Sequence, residues 1–165
     1  MRLRPYLPED DRELVTWFPE ERQFAMWSAG NFSYPLTVEQ LASYDEQLKK
    51  QGGFRLAALD EDGRLIGHVM MKEADYENNT VYMGLIVTDP AMRGRGLGRE
   101  MVSLAVTYAF QILKMKKASL TVYDCNEKAH RCYLSAGLRD ESCTPGLLFW
   151  RDEAWGGIRM SIEAP

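Results

Sequence analysis

The stretch Asp89-Pro90-Ala91-Met92-Arg93-Gly94-Arg95-Gly96-Leu97-Gly98-Arg99 decides how the rest of the chain is read. Asp89-Pro90 closes a strand-like run, Val81 to Thr88, because proline removes a backbone donor and restricts the residue before it. An amphipathic helix begins behind it. Leu97, Met101, Leu104, Ala105, Tyr108 and Ile112 recur at helical spacing, while Arg99, Ser103, Thr107, Gln111 and Lys114 line a polar stripe. The glycines between strand and helix let backbone N–H groups approach a ligand closely. The helix N-terminus adds partial positive charge, and Arg93, Arg95 and Arg99 add full charges. This combination suits phosphate or pyrophosphate. It is not a Walker A loop, since no G-K-[ST] follows, and Arg99 stands where G-x-G-x-x-G requires its last glycine. A ligand-free glycine turn is the plain alternative, and the three arginines weigh against it.

Upstream, Leu3 to Tyr6 reads as an opening strand and Asp10 to Phe18 as a helix with Leu14, Trp17 and Phe18 on one face. Thr37 to Lys50 reads as a second helix, with Thr37 and Gln40 forming a capping box and Gly52-Gly53 ending it. Phe24, Trp27, Phe32 and Tyr34 fill the connection, as core or as pocket wall. Phe54 to Leu59 and Leu65 to Met71 flank the hairpin signal Asp60-Glu61-Asp62-Gly63, and Asn78-Asn79 marks the next turn.

Downstream, Lys114, Lys116 and Lys117 sit at the helix C-terminus and Ala118 to Tyr123 reads as a strand. Asn126 caps a short helix whose Ala129, Cys132, Tyr133 and Ala136 share one face, and Gly137 closes it. Two more strands, about Leu147 to Arg151 and Ile158 to Ile162, flank Trp155-Gly156-Gly157. The pattern is one mixed α/β domain over 1–165.

Charge excludes some functions. The net charge of −4 and a pI of about 5.3, without a basic stripe, disfavour nucleic acid. Residues 1–91 carry net −7 and residues 92–165 net +3, which fits a cationic partner near the first half and an anionic one near the second; two solvated surfaces explain it as well. No apolar run reaches the ~20 residues of a membrane span, and no secretory signal is visible after Arg2 and Arg4. Cys125, Cys132 and Cys143 are an odd count without metal-ligand spacing, and His68 and His130 add none, so free thiols in a reducing cytoplasm are expected and no metal.

Two motifs carry a resemblance. Arg93-Gly94-Arg95-Gly96-Leu97-Gly98 matches [QR]-x-x-G-x-[GA] at Arg93, Gly96 and Gly98, and Asn126-x-x-Ala129-x-x-x-Tyr133-x-x-x-Gly137-Leu138 matches N-x-x-A-x-x-x-Y-x-x-x-G-[FL]. In this order and separation they resemble the GNAT superfamily of acetyl-CoA-dependent N-acetyltransferases. The Trp27 and Tyr34-Pro35 region is similar to the ribosomal-protein N-acetyltransferases within it. The resemblance implies a mostly antiparallel twisted sheet with a splayed parallel pair and flanking helices. It also implies transfer of acetyl from acetyl-CoA to a primary amine, a small molecule or a peptide N-terminus, by direct attack in a ternary complex.

On that resemblance, Arg93 to Arg99 bind the coenzyme pyrophosphate. Ile86, Val87 and Thr88 pair with its pantetheine arm, a backbone N–H near Ile86 meets the thioester oxygen, and Asn126 binds the arm or only caps its helix. Tyr133 takes the role of proton donor to the departing thiolate, against the alternative of a core tyrosine. The base has no clear bearer: Thr121 stands where some peptide N-terminal enzymes of the family carry glutamate, leaving Glu73, Asp75 or Asp124 acting through water, or surface charges only. His68, in an apolar run, reads as structural. A non-catalytic acyl-CoA sensor and a nucleotide-binding protein are the competing functions. A homodimer is compatible with the sequence, which leaves oligomeric state open.

Overall fold

Three consecutive strands form the centre of the molecule, described over all 165 residues by a computed structural model. β2 (Phe54–Leu59), β3 (Leu65–Asp75) and β4 (Thr80–Thr88) pair antiparallel. The Asp60 carboxylate accepts from the Arg64 N–H at 2.9 Å, and Gly63 takes the left-handed φ of 84° that the β2–β3 turn demands. β1 (Arg2–Pro5) pairs with β2 on one side, and on the other β4 runs parallel to β5 (Lys117–Tyr123). β7 (Glu153–Glu163) pairs with β5, and β6 (Arg139–Trp150) forms the far edge, giving the order β1-β2-β3-β4-β5-β7-β6. One parallel pair in an otherwise antiparallel sheet is the expected topology.

Helices cover both faces. On one, α4 (Leu97–Gln111) and α5 (Glu127–Ser135) bury Val102, Ala105, Val106, Ala109 and Tyr133 against Val69, Met71, Val81, Met83, Leu120 and Val122. On the other, α1 (Asp11–Leu14), α2 (Glu21–Ser28) and α3 (Val38–Lys50) supply Leu14, Phe24, Trp27, Leu41 and Leu48, which pack against Met70, Leu85 and Val87.

Strand alternation breaks at one place in β4. Met70 opposes Gly84 and His68 opposes Val87, so Leu85 and Ile86 together face Val69 in a β-bulge. Leu85 has a φ of 48°, a left-handed value costly for leucine. Val81 and Met83 point to the α4 face, yet Leu85 joins the α2–α3 face, so the extra residue has switched the phase of the strand.

Several boundaries differ from the sequence reading. The segment after β1 is a chain of short turns, 3₁₀ at Pro8–Asp10, α1, then 3₁₀ at Val15–Trp17, because four residues of α-helix are too few to propagate. The Thr37 hydroxyl does accept the Gln40 N–H at 3.3 Å, but the Gln40 side chain does not complete a capping box. It accepts from Ser33 N–H at 2.7 Å and donates to Pro35 C=O at 3.0 Å, bracing the connection instead. Ile112 lies beyond the last turn of α4 and is 62% exposed, so the buried stripe is carried by Met101, Val102, Ala105, Val106 and Ala109.

Candidate active site

The parallel strands separate almost as soon as they meet. β4 and β5 pair only through Thr80, Val81 and Tyr82 with Lys117, Ala118 and Ser119. Beyond Tyr82 they diverge, and a cavity of about 1250 Å³ occupies the gap. One wall is Gly84 to Thr88 of β4, the other Leu120 to Tyr123 of β5. Since β3 and β7 occupy their outer edges, the inner edges present unpaired backbone donors and acceptors to whatever enters.

The glycine-arginine turn closes one end. Asp89 accepts from the Ala91 N–H at 2.8 Å and seeds a 3₁₀ turn, Pro90–Met92, which delivers the chain to Gly94 and Gly96. Both glycines are left-handed, at φ 80° and 76°, and open space surrounds each. From Gly94 to Arg99, six consecutive backbone N–H groups donate to no protein atom, and the helical ladder starts only at Glu100 N–H to Gly96 C=O. A row of free donors at the positive end of a 15-residue helix has the chemistry that suits an anion. Arg93 and Arg99 line it, and the Arg93 guanidinium is steadied by the Gln23 amide oxygen at 3.1 Å. Arg95 does not line the cavity; its guanidinium rests 3.7 Å from Met92 Sδ.

α5 forms the floor. The Asn126 side-chain oxygen accepts the Ala129 N–H at 3.3 Å, so Asn126 is the helix cap while also lining the cavity. At the other end, Gly137 N–H reaches Leu134 C=O and Leu138 N–H reaches Tyr133 C=O, a Schellman closure with Gly137 at φ 102°. Tyr133 is 8% exposed and lines the cavity, and no protein group bonds its hydroxyl. Burial pushes its pKa above the ordinary tyrosine value, so the phenol holds its proton at neutral pH.

The remaining wall comes from α2 and β6: Glu20, Arg22, Gln23, Met26 and Trp27 on one side, Leu147 and Leu148 on the other. Arg22 grips Glu153 through Nε (3.2 Å) and Nη2 (2.8 Å), and Trp155 Nε1 donates to the same carboxylate at 2.8 Å. These bonds hold the Glu153 pKa down to about 2 and lock α2 to the β6–β7 hairpin.

Ile86, Val87, Thr88, Arg93, Gly94, Gly96, Leu97, Gly98, Arg99, Asn126 and Tyr133 therefore meet around one cavity; Arg95 alone of the expected set does not. Glu73, Asp75 and Asp124 line none of it. Glu73 pairs with Lys72, and Asp75 is spent on the Glu77–Asn78 turn. The carboxylates that do line it, Glu20 and Glu127, carry no sequence signal beyond standing at helix starts. Of the N-terminal aromatics, Trp27 reaches the cavity, while Phe24, Phe32 and Tyr34 line a separate pocket of about 240 Å³.

The profile of the acetyltransferase (GNAT) family matches residues 12–138, more than three quarters of the chain. The chain belongs to the GNAT family. An N-acetyltransferase of Bacillus subtilis, prophage-derived and uncharacterized, is 23% identical over 158 residues, 96% of this chain and 86% of that one. The spermidine N(1)-acetyltransferase of Escherichia coli K12 is 29% identical over 129 residues, 78% of this chain and 68% of that one. In fold, the chain superposes on spermidine N-acetyltransferase from Vibrio cholerae, solved with CoA and spermine, at a TM-score of 0.83 and 24% identity, over 98% of this chain and 94% of that one. This GNAT protein is an N-acetyltransferase, an enzyme that moves acetyl to an amine.

Proposed function

We propose that the acetyl donor is acetyl-CoA, that the acceptor is a small-molecule primary amine, and that the reaction proceeds by direct attack in the cytoplasm. The observation that carries this reading is the run of six free N–H groups from Gly94 to Arg99, opening directly into the gap between β4 and β5. The turn, with Arg93 and Arg99, holds the pyrophosphate. The free β4 edge at Ile86, Val87 and Thr88 binds the pantetheine amides as an added strand would. The Ile86 N–H stabilises charge on the thioester oxygen, the Tyr133 phenol gives its proton to the leaving thiolate, and the proton that the nitrogen sheds as the amide forms restores the phenol. Asn126 keeps its side-chain N–H free for the arm because the cap uses only its oxygen.

Direct attack is favoured over acetyl relay through a cysteine. Cys125 and Cys132 line the cavity, but burial pushes both thiols up, away from the thiolate form a nucleophile needs. A small amine is favoured over a peptide N-terminus because the relatives named for their acceptor, from Escherichia coli and Vibrio cholerae, are spermidine N(1)-acetyltransferases and Thr121 replaces the peptide-enzyme glutamate.

Turnover of acetyl-CoA against a mixed panel of polyamines, simple alkylamines and peptides, read by mass spectrometry, tests the reading. A small amine heavier by one acetyl group is the expected product. Acetylation confined to peptide N-termini refutes the acceptor assignment, and tight CoA binding with no product favours a sensor. The turn is tested separately. Gly96→Asp places a carboxylate among the free N–H groups in open space; the left-handed φ of 76° strains any side chain there but least an Asp or Asn, so the fold survives with a lowered Tm while CoA affinity in calorimetry falls about 100-fold, or about 2.7 kcal/mol. Unchanged CoA affinity sinks the phosphate-cradle assignment.

A further inference from the structure

His68 has no part in the chemistry set out above, yet it is tied to the atom next to it. The side chain is 0% exposed on β3, with Nδ1 2.7 Å from the Leu85 carbonyl oxygen. A carbonyl only accepts, so Nδ1 carries the hydrogen and donates. Burial first, then the positive charge of Arg55, brings the His68 pKa down to about 3, so the ring is neutral with a single N–H. That N–H is committed to Leu85, and Nε2 bonds no protein group. Tyr6 at 5.0 Å and Trp27 at 6.2 Å, both edge-on, fix the plane of the ring.

Leu85 is the bulge residue with the left-handed φ of 48°, a conformation that persists only where the surroundings enforce it. The Leu85 C=O and the Ile86 N–H belong to one planar trans peptide and point in opposite directions. Leu85 and Ile86 line the cavity, and His68 stands behind them, outside it. A hydrogen bond that draws the oxygen back toward His68 therefore turns the Ile86 N–H forward. Donation to the carbonyl also polarises the peptide and strengthens that N–H as a donor. We propose that His68 is a positioning residue for acetyl transfer, holding the Leu85 carbonyl so that the Ile86 N–H faces the thioester oxygen. The proposal rests on the acetyl-CoA reading above and adds a residue to it.

His68→Leu removes the donor at similar volume, whereas His68→Asn keeps an N–H near the position of Nδ1. The Leu variant is expected to lose about 30- to 100-fold in kcat with KM for acetyl-CoA changed by less than about threefold, since a misdirected oxyanion donor costs the transition state and not ground-state binding. His68→Asn recovers most of the loss. Leu56→Ala, a core truncation on β2 outside the site, lowers Tm and leaves kcat intact, which separates misdirection from loosening.

The peptide itself is read by NMR. Labelling leucine at the carbonyl carbon and isoleucine at the amide nitrogen lights only two peptides, Leu65–Ile66 and Leu85–Ile86. His68→Leu is expected to shift the second signal and not the first. An unmoved Leu85–Ile86 signal, a Leu variant with wild-type kcat, or Leu and Asn variants equally impaired overturns the proposal. A wild-type protein that acetylates nothing and binds no CoA overturns the acetyl-CoA reading instead, and the labelled-peptide comparison then decides the His68 contact alone.

Discussion

Tyr133→Phe is expected to bind CoA as tightly as the wild type and to turn over about 10²- to 10³-fold more slowly, the usual loss when a positioned general acid is removed. Three features of the site set that size. The ring belongs to the core cluster that also holds Val102, Val106 and the β5 residues Leu120 and Val122, so phenylalanine preserves the packing. The hydroxyl bonds no protein group, so its removal orphans no partner and Tm stays within a few degrees. Burial raises the phenol pKa, which keeps the proton in place at working pH.

The pH profile gives the same assignment a second test. A tyrosine acting as acid loses activity as pH rises through its own pKa, and because that value lies above the ordinary ~10, the alkaline limb of kcat falls beyond it. The measurements are kcat and KM for both proteins, with calorimetry for CoA. Equal kcat values mean that Tyr133 is a core residue whose hydroxyl merely faces the cavity.

The glycine-turn and α5 side of the cavity was legible because its geometry is written in residues with strong local consequences. Gly94 and Gly96 occupy left-handed positions, Asn126 caps α5 and Gly137 ends it, and each announces its geometry from the residue type alone. β2 was legible to the residue because Gly53 and Asp60 bound it. The first half of β6 was not. Residues Arg139–Pro145 form an exposed edge with no alternating pattern, since neither face there packs on a core.

The bulge was equally hidden. Leu85 holds a conformation that glycine would have advertised, and the group that bonds its carbonyl, His68, lies seventeen residues earlier in the chain. Side-chain orientation was the third gap. Arg93, Arg95 and Arg99 look alike in sequence, but a 3₁₀ turn and the first turn of α4 leave Arg95 off the cavity wall. The wall opposite the glycine turn carries no motif because α2 and the β6–β7 hairpin meet there through tertiary pairing, Arg22 with Glu153 and Arg151 with Glu21.

Arg55→Leu should be among the most destabilising single substitutions in this protein. Arg55, 3% exposed, donates from Nη1 to Asp11 at 3.0 Å and from Nε to Asp45 at 3.1 Å, and its guanidinium lies 4.2 Å from the Tyr6 ring centre. Asp11 is itself 2% exposed, so deleting the cation strands a buried carboxylate. Breaking a buried pair from one side costs about 3–5 kcal/mol. At about 2–4 °C per kcal/mol for a domain of this size, Tm should fall by about 6–20 °C.

The sign of the pH dependence identifies the cause. Burial already outweighs Arg55 and raises the Asp11 pKa above its unfolded value; losing the guanidinium raises it further. Between the unfolded and folded values the folded state binds more protons, so the variant loses stability as pH rises through that window. Its deficit relative to wild type should be larger at pH 7 than at pH 5. Asp45 behaves differently: burial opposes ionisation, but Lys49 at 2.6 Å remains to hold it charged.

Replacing Asp11 by leucine as well removes the stranded charge, so the double variant should regain part of the loss, a coupling that distant sites do not show. Denaturant titrations of the two single variants and the double one at both pH values supply the cycle. Additive losses, or a single-variant loss below about 1 kcal/mol, mean that solvent already reaches Asp11 and that the network does not hold α1 and α3 to β2.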